Sequence, residues 1–205
     1  RNPLLIYSAL PFTAPDFSCI SETDYKPALY KAIHDQRDFI NHIVSNEETP
    51  TFANTIQTYE RSGVMLDRVL SVFYCLTSAH KTPIIAQTEK EITPVLTDWQ
   101  NKITFNEKLF ARIKYVYDHE RNTLKGEDLK LLDETYKQFV RSGALLSAEK
   151  KARMEQINRR IAELQQQWGT MLTDATNQAA VWVNSKDELK GLSEADIAQC
   201  KKDAV

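Results

Sequence analysis

The sequence predicts an all-α, mainly helical fold of long antiparallel helical hairpins, with at most one short β element near the C-terminal end. Three observations carry that expectation. Five Gly and seven Pro in 205 residues leave few places for tight turns. Between them, apolar residues recur at spacings of three and four along six separate segments, the period of a helix with one buried face. A single pentad, AVWVN at 180–184, changes to the short, β-branched and aromatic composition of a strand.

Residues 1–23 hold three of the seven Pro and read as an extended strap with apolar plugs at Leu4, Leu5, Phe12 and Phe17. Asp24 is positioned to cap a first helix, with Pro27 tolerated in its opening turn. Leu29, Ile33, Ile40 and Val44 share one face of that helix. Thr51 caps the second, whose stripe runs Phe52, Ile56, Tyr59, Gly63, Leu66, Leu70, Phe73. A glycine inside a helix costs about 1 kcal/mol relative to Ala. Because Gly63 lies on the apolar stripe, its presence predicts close approach of another helix rather than a break. A third helix spans roughly Pro83 to Ile103, with Ile85, Thr88, Ile92, Val95 and Trp99 on one side. Pro94 removes an amide hydrogen inside it and predicts a kink or a split.

Asn106 caps a fourth helix with Leu109, Phe110, Ile113, Val116 and Tyr117 inward. The fifth buries Leu132, Tyr136, Phe139 and Val140 and stops at Gly143. After Ser147 a sixth helix, 147–178, carries Ile157, Ile161, Leu164, Trp168, Met171 or Leu172, and Ala175 at coiled-coil-like intervals. At 1.5 Å per residue it is a rod of about 45 Å, expected to be a spine with Ile157, Ile161, Leu164 and Trp168 facing inward. The pentad 180–184 needs a pairing partner for its backbone, and no second convincing strand exists. Residues 184–192 turn, and Ser193 caps a last short helix. The expected organisation is therefore a strap (1–23), a helical domain (24–178) and a strand–turn–helix tail (179–205). That tail is expected to pack against polypeptide beyond Val205, or to pair with a second copy through 180–184.

Composition excludes several classes. Lys plus Arg is 26, Asp plus Glu 28, and the formal net charge is −2. Nucleic-acid binding draws its affinity from a surplus of cations against phosphate, and none is present. No stretch approaches the ~20 apolar residues that span a bilayer. Cys19, Cys75 and Cys200 are too far apart for a zinc knuckle and odd in number. The chain opens on Arg1 with no signal-peptide pattern, so an upstream segment processed away, or a boundary within a longer chain, is expected. Cytoplasm and periplasm both stay open, with the cytoplasm preferred.

Few residues invite chemistry. His34, Asp38 and His42 stack at i, i+4, i+8 on the first helix, but the two histidines lie about 12 Å apart along the axis. Zn–N bonds are near 2.0 Å, so both cannot hold one ion, and surface pairing is the plainer reading. His80 reads as a helix end, where its charge and that of Lys81 suit the C-terminal dipole. His119-Glu120 opens no metal motif, since HExxH needs a His at 123, where Thr stands. Cys75, near the Phe73 stripe, is expected to be a buried small hydrophobe. Tyr59, Tyr74, Tyr115, Tyr117 and Tyr136 are expected in the core, with a groove lining as the alternative. No catalytic, cofactor-binding or metal-binding residue is assigned within these 205 residues.

The opening NPLL…LPFTAPDFSCISETDYKPAL, the stretch PTFANTIQTYERSGVMLDRVLSVFYCLTSAH (50–80), LFARI (109–113), FVRSGALL (139–146) and ELKGL (188–192) carry a resemblance across the chain. In that order and spacing they resemble the N-terminal part of the thimet-oligopeptidase family of zinc metallopeptidases, and within it the bacterial peptidyl-dipeptidases. The resemblance implies an almost entirely helical enzyme divided by a deep channel. One Zn²⁺ would be held by the two His of an HExxH motif and a later Glu, with the motif's Glu as general base. None of those residues occurs here. What the resemblance leaves to this chain is a non-catalytic wall over short unstructured peptides, whose C-terminal dipeptides the whole enzyme would release. An endo-acting oligopeptidase of the same family, and a free-standing helical binding module, are the alternatives.

Overall fold

The first helix begins with a reciprocal cap. Ser21 N–H donates to Asp24 Oδ2 at 2.8 Å, and the Ser21 hydroxyl binds the same carboxylate at 2.9 Å. Asp24 therefore closes the box from inside the first turn while Ser21 leads it, which corrects the expectation of Asp24 as a simple cap. The computed structural model describes residues 2–179 and 181–203. They form α1 (Tyr25–Ser45), α2 (Thr58–Ala79), α3 (Pro83–Thr104), α4 (Glu107–Glu120), α5 (Gly126–Arg141), α6 (Ala148–Gln178) and α7 (Glu194–Asp203). The chain is 77% helical and the described residues contain no strand, so the fold is all-α as the periodicity predicts. Two compact units meet between Leu164 and Gln165.

In the first unit α1 and α2 run antiparallel. Tyr25 meets Phe73 with ring centroids 5.6 Å apart, and Gln36 reaches the backbone of Gly63. A Cβ at Gly63 would lie 3.3 Å from Gln36 Nε2, so this glycine allows the close helix approach its position predicts. Leu29, Ile33, Ile40, Ile56, Leu66 and Val69 fill the interface, each at most 6% exposed. Thr51 accepts from Asn54 N–H, and α2 opens with a π-helical turn over Phe52–Gln57. Trp99 of α3 donates its indole N–H to Gln36 Oε1 at 2.7 Å. That bond, with Arg37 lying 5.5 Å over the Trp99 ring and the Lys26–Glu91 ion pair, ties α3 to α1.

Helices α4 and α5 form a second antiparallel hairpin. Tyr117 and Tyr136 stack at 3.9 Å, Phe110 stacks on Phe139 at 6.1 Å, and Arg121 grips Asp133 through two bonds of 2.7 and 3.0 Å. Tyr59 of α2 meets Phe139 edge-on at 5.5 Å and joins the hairpins; burial pushes its hydroxyl up to about 12. Helix α5 ends where Gly143, at φ 100°, reverses the chain. Gly143 N–H bonds Val140 O and Ala144 N–H bonds Phe139 O, the paired closure that a left-handed residue permits.

Several expectations are corrected. Helix α3 continues unbroken through Pro94, because one missing amide bond leaves the rest of a 22-residue ladder intact. In the strap, Leu4 is buried and Leu5 partly so, whereas Phe12 and Phe17 are exposed. Phe12 lies in the left-handed region at φ 58° and is fully exposed, so it plugs nothing. Cys75 is exposed, since two residues past the inward Phe73 carry it about 200° around the helix. Tyr59, Tyr117 and Tyr136 are partly buried against the core, but Tyr74 and Tyr115 are exposed.

The largest correction concerns α6. The helix exists over nearly the expected span, yet Ile157, Ile161, Leu164 and Trp168 are 38%, 48%, 46% and 67% exposed. The face turned to the body is instead the one bearing Met154, Asn158 and Ala162. It is held by Lys151 to Glu107 at 3.1 Å, Asn158 to Asn101 at 2.7 Å and Arg159 to Asp98 at 2.6 Å. Directed polar contacts with α3 and α4, which periodicity does not register, set its rotation.

The second unit contains the remainder of α6, a 3₁₀ turn over Lys186–Leu189 and α7. Ser185 and Glu188 form a capping box at the turn, and Ser193 accepts from Asp196 N–H to start α7. Val181, Trp182 and Val183 form no strand, because no described backbone pairs with them; Ala180 lies outside the described residues.

Buried and exposed leucines of similar size should respond differently. Leu29→Ala and Ile113→Ala, both at 0% exposure, are expected to cost about 2–5 kcal/mol in urea titration. Leu164→Ala, at 46%, should cost less than about 1 kcal/mol. A Leu164 effect equal to that at Leu29 would show that α6 is packed the other way round.

Candidate functional site

The residues with the most specific geometry sit where α4 meets the loop between α1 and α2. Arg112 donates through Nη1 to the carbonyls of Asn46 (2.7 Å) and Glu48 (3.2 Å), and through Nη2 to Asn54 Oδ1 (3.2 Å). Desolvation pulls the Arg112 guanidinium below its ordinary pKa, a shift opposed by the nearby Glu48. Slightly more than two turns further on, Glu120 Oε2 accepts Phe52 N–H at 3.0 Å. A carboxylate there also complements the positive end of the helix that Phe52 begins. Asn54 closes the arrangement by donating to Thr49 O. These groups satisfy loop carbonyls and an unpaired helical amide, so their task is to fix the α1–α2 connection. Sequence reasoning missed Arg112 and Glu120 in this role, because partners 58 to 68 residues apart leave no local signature.

The structure brings together only part of the predicted histidine cluster. His34 Nδ1 lies 3.3 Å from Asp38 Oδ2 and 3.8 Å from Asp35 Oδ1. His42 is outside that group, as the axial distance requires. The donors are exposed, at 61%, 38% and 63% for His34, Asp35 and Asp38. Asp35 Oδ1 already receives the Lys31 ammonium. This is the one group of three donors close enough for an ion among the described residues. It does not fit a zinc centre, which needs a shielded donor set free of a competing cation.

The other named residues are placed plainly. His80 caps α2, with its N–H bonded to Leu76 O at 2.8 Å. His119, the residue before Glu120, stacks on Tyr115 one turn back with centroids 4.0 Å apart. A cavity of about 200 Å³ lies between the strap and α2, lined by Leu4, Ile6, Tyr7, Asp16, Arg68 and Val72 among others. Arg68 spans it, bonding Ile6 O at 2.8 Å and lying 4.5 Å over the Tyr7 ring. The Asp16 carboxylate is held below its usual range by the Ser18 hydroxyl and amide and by the Cys19 thiol. At that size, below the roughly 300–1,000 Å³ of small-molecule sites, the cavity is the seam where the strap is fastened.

This geometry defines a helical scaffold in which charged groups fix helix connections. Comparison with known proteins then supplies the family. No protein-family model matches the chain. It is 34% identical over 198 residues to the dipeptidyl carboxypeptidase of Escherichia coli strain K12, covering 96% of this chain and 29% of that protein. The Salmonella typhimurium dipeptidyl carboxypeptidase is 34% identical over 197 residues, with the same coverages. Oligopeptidase A of Escherichia coli is 28% identical over 204 residues, 99% of this chain and 29% of that protein. These relatives are peptidases of the thimet-oligopeptidase family, and this chain corresponds to their N-terminal part. It spans less than a third of their length. No helix among the described residues is long and apolar enough to cross a membrane.

After dialysis the chain is expected to retain far less than one equivalent of zinc by metal analysis. A full equivalent that disappears in His34→Ala would contradict the geometric reading of that cluster.

Proposed function

We propose that this chain is the non-catalytic N-terminal domain of a zinc-dependent peptidyl-dipeptidase, where it forms a wall of the channel that admits short unstructured peptides. The observation that carries this reading is similarity over 96% of the chain to proteins named dipeptidyl carboxypeptidase, of which it spans 29%. Higher identity to these than to oligopeptidase A, 34% against 28%, favours release of C-terminal dipeptides over internal cleavage. The zinc and its ligands belong to the part of the enzyme outside these residues, and no chemical step passes through a side chain here. What the chain contributes is rigidity. The Arg112 and Glu120 contacts and the Gly63 interface hold the helical hairpins in fixed register, as exclusion of folded proteins by a narrow channel requires.

Three exposed unpaired thiols, Cys19, Cys75 and Cys200, support the cytoplasm over the periplasm as the compartment. Self-association through 180–184 stands as a separate proposal. The 87% and 72% exposure of Val181 and Trp182 supports it, although the strand first invoked for it does not form.

The test joins this chain to the remaining length of the Escherichia coli dipeptidyl carboxypeptidase in place of that protein's own N-terminal part. With zinc supplied, the fusion should release dipeptides from N-acylated tripeptides and cleave internally quenched longer peptides slowly. Internal cleavage alone would favour the oligopeptidase reading. A folded fusion with neither activity would overturn the family-level function.

A further inference from the structure

The cavity between the strap and α2 holds two opposite charges that do not pair with each other. Every residue lining it except Arg68 and Val72 comes from the strap, and Leu4, Ile20 and Val72 give it apolar walls. All of these residues belong to one compact unit, so the site stands whatever enzyme the chain completes.

On the α2 side Arg68 is only partly satisfied. Its Nη2 bonds Ile6 O at 2.8 Å, and the guanidinium lies 4.5 Å over the Tyr7 ring. Its Nη1 is buried and bonds nothing among the described residues. A guanidinium keeps its charge at any working pH, and a buried donor without a partner is costly. The group that such a donor binds most strongly is a carboxylate oxygen. On the strap side Asp16 is an anion, held below the usual carboxylate range by the Ser18 hydroxyl and amide and by the Cys19 thiol. Both Ser18 donors go to Oδ1, at 2.6 and 3.1 Å, while Oδ2 receives only the thiol at 3.5 Å. A thiol is a weak donor and a carboxylate offers about four lone-pair sites, so Oδ2 keeps its capacity for a cation.

An anion alone in this cavity meets the charge of Asp16, and a cation alone meets that of Arg68. A ligand carrying both charges is opposed by neither. We infer that the cavity binds a small α-amino zwitterion, a free amino acid or a dipeptide, with its carboxylate on Arg68 Nη1 and its ammonium on Asp16 Oδ2. Size agrees with that class. About 200 Å³ is under the roughly 300–1,000 Å³ of drug-sized sites and far over the roughly 30 Å³ share of one water. Bound there, the ligand adds a charged bridge between the strap and α2 to the contacts that Ile6 and Tyr7 already make.

Methyl-detected NMR titration of the 205-residue chain at neutral pH tests the site through Leu4, Ile20 and Val72. Alanine and dialanine are compared with acetate, which lacks the ammonium, and ethylamine, which lacks the carboxylate. At least one zwitterion should shift these methyls saturably, with half-saturation at or below about 1 mM, and the tighter of the two gives the ligand's length. Acetate and ethylamine should each bind at least about fivefold more weakly. Arg68→Gln should weaken the zwitterion about tenfold or more, and Asp16→Asn about threefold or more while bringing acetate level with it. If Arg68→Gln detaches the strap, seen as loss of the folded Leu4 methyl shifts, Asp16→Asn decides alone. Acetate binding as tightly as either zwitterion to the unsubstituted chain would show a simple anion site and overturn the inference. No response to alanine or dialanine at about 10 mM, or shifts confined to methyls outside the cavity such as those of Leu109 and Ile113, would overturn it equally.

Discussion

The first unit depends on how closely α1 and α2 approach at Gly63. With no side chain there, Gln36 of α1 lies against the α2 backbone and holds the Trp99 indole on its other end. Three helices are thus positioned through one glutamine. From this contact the interface runs out to Tyr25 and Phe73 at one end and to the 46–51 loop at the other. Arg112 and Glu120 then fix that loop to α4, and Tyr59 fixes α2 to α5 through Phe139. A side chain at position 63 would press first on the Gln36 amide and the Asp67 carboxylate, each 3.3 Å from where its Cβ would stand, and so disturb the bond from Gln36 to Trp99.

The parts of the fold set by local rules were legible in the sequence. Thr51, Asn106 and Ser193 accept the amide bonds that their types and positions imply, and Gly143 ends α5 in the left-handed conformation. Buried faces of α1 through α5 follow the apolar stripe, since hydrophobic burial is the largest favourable term and each stripe has a neighbour. The stripe on α6 misled because apolar spacing does not register the directed contacts of Asn158 and Arg159 that turn another face of the helix to the body. Phe12 misled for a related reason. Its hydrophobicity says nothing of the left-handed backbone that turns it to solvent.

Of the candidate site, the geometry of the histidine cluster was legible. Spacing alone separated His42 from His34, and the atoms agree. What spacing does not reveal is the positive work of the charged residues. Arg112, Glu120 and Arg68 act on backbone groups 62 or more residues away, and those partners are carbonyls and an amide, which nearly every residue type carries. In the channel wall proposed above such contacts matter more than any reactive side chain, because selection by size needs walls that keep their positions.

The account holds that this chain combines one helical core with one helix, α6, whose apolar residues stay exposed. Native-state hydrogen exchange on the 205-residue chain tests that division most directly. Amides of Leu29–Ile40 and Leu66–Phe73 should exchange only through global unfolding, whereas those of 165–176 in α6 should exchange through local opening at rates at least about a hundredfold higher. Equal protection across all three segments would contradict the account, since it would mean that the apolar residues of α6 are covered within this chain.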